Sequence, residues 1–114
     1  MADDKRADDS VRLRKFIDVI VEDKLSFTLF RGAIADISLT GMRLISDQYL
    51  PKGARYTFTM KRAPFLTVRG EVRWVRAFER DTFQCGALFT DMPEEDVSRL
   101  RSFLEIERRR VAIS

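Results

Sequence analysis

The sequence has no histidine and a single cysteine among its 114 residues. Without histidine, the commonest general base, the usual zinc ligand and the Ser–His and Cys–His nucleophile pairs are all missing. No catalytic residue, metal site or cofactor is therefore expected. The lone Cys85 cannot form an internal disulfide, and it alternates with Phe83, Ala87 and Phe89, the pattern of a small buried thiol. No apolar run approaches the roughly 20 residues that a membrane-spanning helix needs. The opening Met1-Ala2-Asp3-Asp4-Lys5-Arg6 also lacks the apolar centre of a secretory signal. A cytoplasmic protein with no membrane insertion is expected. Neither sign of charge dominates: Lys and Arg number 21 and Asp and Glu 18, a net charge of +3. That excess suits an anionic small ligand or an acidic protein surface and is too small to imply nucleic acid by itself.

Hydrophobic residues make up 45% and charged residues 34% of the chain, a globular balance, and 114 residues are enough for one core. Residues 1–11 are nearly all polar and without period, which predicts a flexible arm ahead of a single domain over 12–114. The basic cluster Arg12-Leu13-Arg14-Lys15 is expected where that arm meets the first strand, in which Ile17, Val19 and Val21 share a face. A second strand is read over 27–36, with Gly32 as a bulge or bend, and a third over 41–46. Between them, Asp36-Ile37-Ser38-Leu39-Thr40-Gly41 has what a corner requires: side chains that bond nearby backbone and a glycine free to take positive φ.

Tyr56, Phe58 and Met60 form the inward set of a fourth strand. Leu66, Val68, Gly70, Val72 and Trp74 form that of a fifth, and Phe83, Cys85, Ala87 and Phe89 that of a sixth. Six strands with short connections and one apolar face each predict a mainly β fold, a six-stranded antiparallel barrel without exposed edges. The end differs. Asp91 is a candidate cap, Pro93 suits a first helical turn, and Val97, Leu100, Phe103 and Leu104 recur at helical spacing, so a C-terminal helix is expected to pack on the barrel. Arg108-Arg109-Arg110 falls where cations favour a helix C-terminus.

The basic cluster, the Asp-x-Ser-x-x-Gly corner, the segment Arg69-Gly70-Glu71-Val72-Arg73-Trp74-Val75 and the final strand and helix together resemble the PilZ domain over nearly the whole chain. The resemblance implies a PilZ-like split barrel and a bacterial receptor for cyclic di-GMP that performs no chemistry on its ligand. It also implies that an Arg-x-x-x-Arg pair on the N-terminal arm closes on the ligand opposite the corner. Carried over, Asp36 would accept from the guanine edge, Ser38 would bond ligand or orient the corner, and Gly41 would leave space. The arginine pair is incomplete here. Arg14 matches its second member, Ser10 stands where the first belongs, and Arg12 is the nearest substitute.

Two functions thus stand side by side: a receptor whose arm is ordered by cyclic di-GMP to control a protein partner, and an interaction adaptor that binds protein and no nucleotide. Either is compatible with a monomer or a homodimer. A third, single-stranded nucleic acid on the outward row Arg55, Lys61, Arg69 and Arg73, is disfavoured because the aromatics needed for base stacking fall mostly on the inward face.

Overall fold

Alternating apolar residues fold as strands because each successive side chain points to the opposite face of a sheet. In the computed structural model, which describes residues 11–23, 25–62 and 65–113, six of them close into an antiparallel barrel. They are β1 (Val11–Asp23), β2 (Thr28–Ile37), β3 (Gly41–Ser46), β4 (Arg55–Met60), β5 (Leu66–Ala77) and β6 (Phe83–Thr90). Their order around the barrel is β1-β2-β3-β6-β5-β4. The expected inward sets meet inside: Ile17, Val19, Val21, Phe58, Met60, Val68 and Val72 are almost wholly buried, joined by Ile34, Ile37 and Leu44.

The helix α1 (Glu94–Ile113) packs on β1 and β5 through Leu100, Phe103 and Leu104. Its first turn holds Glu94, Glu95 and Asp96, acids placed at the positive end of the dipole. Asp91 is not its cap. The amides of Asp96 and Val97 in the first turn donate to the carbonyl of Pro93, the residue before the helix, and Asp91 instead turns the chain with φ of 50°. Arg109 and Arg110 pair with Glu105 and Glu107 within the helix, which runs on past the three arginines.

Three expectations need correction. The first strand starts at Val11, so the basic cluster lies within β1 and not ahead of it. Val11 and Arg12 pair with Ile37 and Asp36, because backbone pairing with the far end of β2 does not depend on which side chains the strand carries. Residues 1–10, most of the expected arm, lie outside the described residues, as do the side chains of 11–16. Gly32 is not a bulge: it sits in regular register against Val19, and the irregularity in β2 falls between Ile34 and Asp36. Trp74 does not face inward; it is 39% exposed, because β5 carries an extra residue against β6 between Val72 and Trp74.

Candidate functional site

Those two irregularities build the site. Ile34 pairs with the buried Leu44 and Ile37 with the buried Met42, yet only one β3 residue, Arg43, lies between those partners while Ala35 and Asp36 lie between Ile34 and Ile37. The extra residue turns Asp36 to the outer wall, opposite Arg43. On β5, Arg73 is the extra residue, and it leaves Trp74 on the outer wall opposite Gly86. Because β3 and β6 are neighbours, both re-aimed side chains open onto one cleft of about 350 Å³. Asp36, Ser38, Gly41, Arg43, Arg73 and Trp74 all line it.

Each predicted residue in the corner has a definite place. The Ser38 hydroxyl accepts from the amides of Thr40 (3.2 Å) and Gly41 (3.3 Å), and the Ser38 amide donates to the Gly41 carbonyl at 2.8 Å, so Ser38 fixes the corner's shape. Gly41 has no positive φ. Its missing side chain serves close approach, since a Cβ there would lie 2.3 Å from the carbonyl oxygen of Ala87. The room beside it is thus filled by β6 backbone. The amide of Phe89 donates to Thr40 at 2.8 Å, which ties the corner to the same strand.

Asp36 is already engaged: its Oδ2 accepts from Arg43 Nε at 2.9 Å and lies 2.8 Å from Nη2. Both side chains retain more than a quarter of their exposure, and an ion pair that is partly hydrated contributes on the order of 1 kcal/mol or less. A ligand donor can displace it at small cost. The backbone of Arg12 is directly across from Asp36, and Arg14 falls in the stretch where the β1–β2 register breaks. Their side chains lie outside the described residues.

Arg43, Arg73 and Trp74 are cleft residues that the sequence reading did not assign. The Trp74 indole lies on the bare backbone of Gly86, where a Cβ would come within 2.1 Å of Nε1 and 2.5 Å of Cε2. Arg76 stands 5.2 Å from the ring centroid, and its Nε and Nη2 donate to Gln84 Oε1 at 3.0 and 2.7 Å, which holds the guanidinium in place. The result is a fixed aromatic face beside two arginines and one carboxylate. Cys85, 2% exposed, takes no part: burial pushes its thiol pKa up to about 11, so it stays protonated at neutral pH. Replacing Gly86 by alanine is expected to lift the only tryptophan from the wall and shift its emission to the red, with the far-UV circular dichroism retained. Unchanged emission would show that the ring does not rest on Gly86.

The PilZ domain model matches residues 5–105. The chain belongs to the PilZ domain family. Solved structures agree on the fold: the PilZ domain of YcgR from Escherichia coli, solved with c-di-GMP, has a TM-score of 0.74 at 11% identity, with 90% of each chain covered. MrkH of K. pneumonia in its apo state gives 0.73 at 17% identity, and MotI/DgrA, the inhibitor of motility of Bacillus subtilis, gives 0.69 at 15%. This PilZ chain covers only 50% of MrkH and 51% of MotI/DgrA, about half the length of each. No curated protein sequence matches it.

Proposed function

We propose that this PilZ domain is a non-catalytic cytoplasmic receptor for cyclic di-GMP, and that the bound ligand orders the residues ahead of β1 over the cleft to control a protein partner. The observation that supports this reading is the convergence of Asp36, Arg43, Arg73 and Trp74 on one cleft, whose volume of about 350 Å³ falls in the ordinary range for small-molecule sites. A guanine offers N–H donors to Asp36, and O6 and N7 acceptors to a guanidinium. The phosphates take the remaining arginine charge. Solved PilZ relatives, YcgR and MrkH, carry c-di-GMP.

Ser10 in place of the first arm arginine favours the second reading, an adaptor that holds a protein partner without nucleotide. Arg43 and Arg73, placed on the barrel itself, weigh toward the receptor, since they supply cations that do not depend on the arm. A nucleic-acid role has less support, because Arg55 of the outward row pairs with Glu71 and the net charge of the chain is only +3. Calorimetric titration with cyclic di-GMP is expected to give micromolar or tighter binding. Asp36→Ala and Arg14→Ala should each weaken it by roughly ten- to a hundredfold, the loss of one guanine contact. No heat at high ligand concentration would leave the adaptor reading standing.

A further inference from the structure

The hairpin that joins β1 to β2 exposes what a soluble surface ordinarily buries. Leu25 is 95% exposed, Phe27 91% and Leu29 66%, three large apolar side chains within five residues. Phe27 also holds φ at 56°, a conformation that suits glycine or asparagine and strains a bulky side chain. Such strain is kept where a side chain has a use in that position. Beside this prong lies a groove of about 420 Å³, lined by Glu22, Leu25, Arg55, Tyr56 and Arg69 among others. The prong and the groove are thus neighbours on one molecule. Leu29, Glu22, Thr57 and Arg69 stand in one row across β2, β1, β4 and β5, each paired to the next. Neither Glu22 nor Arg69 has an ion-pair partner among the described residues, and they stand two strands apart, about 10 Å, too far to pair with each other.

We infer that this face docks a second copy of the chain, the prong of each protomer entering the groove of the other about a two-fold axis. A face that carries an acid beside its prong and a base across its groove is complementary to itself under that symmetry, which brings residue i of one copy to residue j of the other and the reverse. Glu22 of each protomer then meets Arg69 of its partner, and Leu25, Phe27 and Leu29 leave water.

Sedimentation velocity of the full chain across a wide concentration range tests this, with or without cyclic di-GMP. The expected result is a monomer–dimer equilibrium. Phe27→Asn, which suits the left-handed backbone, should weaken it by roughly tenfold or more, the effect of losing one buried aromatic anchor. Glu22→Arg and Arg69→Glu should each weaken it as well, and the double variant Glu22→Arg/Arg69→Glu should restore it. A monomer at every concentration overturns the inference, as does a dimer indifferent to Phe27→Asn, or charge reversals whose losses add instead of cancelling. Flotation of the monomer with phosphatidylglycerol vesicles, lost in Phe27→Asn, overturns it in favour of a lipid surface.

Discussion

Glu107→Ala is expected to lower the unfolding free energy by about 3 kcal/mol, a fall in melting temperature of roughly 10–20 °C for a domain of this size. Glu107 continues the buried stripe of α1 one turn beyond Phe103 and Leu104 and is itself 1% exposed, although it is charged. Arg62, just beyond β4, donates from Nη1 to its Oε1 at 2.7 Å, and Arg110 reaches Oε2 at 3.1 Å. No buried side-chain oxygen or nitrogen among the described residues lacks a partner. Removing the carboxylate leaves the partly buried Arg62 guanidinium without its protein acceptor. Losing one partner of a buried pair typically costs about 3–5 kcal/mol, and the low end applies because Arg62 keeps 28% of its side-chain exposure and can rehydrate. The pair as a whole should stabilise far less than this loss suggests. Arg62→Met/Glu107→Leu, which removes both charges and keeps the volume, is expected to match or exceed the parent in a urea titration. A double variant as unstable as Glu107→Ala would mean that the ion pair contributes net stability.

Much of this architecture could be read from alternation alone. β3 covers 41–46 as read, and the inward sets read for the fourth and sixth strands lie within β4 and β6, because their alternation is uninterrupted. The site was harder to read, for one physical reason. A one-residue bulge reverses every side chain after it, and a single extra residue leaves almost no mark in a pattern of period two. The corner residues Asp36, Ser38 and Gly41 were recognisable as a motif, and they do sit together on the cleft. Alternation puts Trp74 on the wrong face because the run from Leu66 to Trp74 has no visible break. The available signal was the adjacency of Trp74 and Val75: two apolar neighbours at the end of an alternating strand fit only if one of them turns outward, and Val75 is the one packed on the core. Arg43 could have been paired with Asp36 once the corner was taken as a tight connection between antiparallel strands, since the two then face each other. The start of β1 had no signal of this kind. Nothing in the character of Val11 and Arg12 distinguishes a strand from the end of a polar tail, and the partner that makes them a strand, the far end of β2, is more than twenty residues away.

Gly41→Ala separates two explanations of the same residue. If the glycine is there to leave room for a ligand, the variant folds like the parent and loses only affinity. The geometry points to the fold. The added carbon would lie 2.3 Å from a backbone carbonyl oxygen of β6, and backbone cannot turn aside as a side-chain tip can. Gly41 is also the first residue of β3 and pairs with Leu88, so relief requires β3 and β6 to separate at the rim where the corner closes. Overpacking of this kind costs typically about 1–3 kcal/mol and more where no side chain can yield, so a loss near 3 kcal/mol is expected in thermal or urea unfolding. The same movement pulls Thr40 from its bond with the Phe89 amide and shifts Ser38, and through Ser38 the angle at which Asp36 meets the cleft. Affinity for cyclic di-GMP should therefore fall together with stability, and the two losses should shrink together if a stabilising substitution elsewhere restores the β3–β6 pairing. Full stability with binding alone abolished would assign the glycine to the ligand after all.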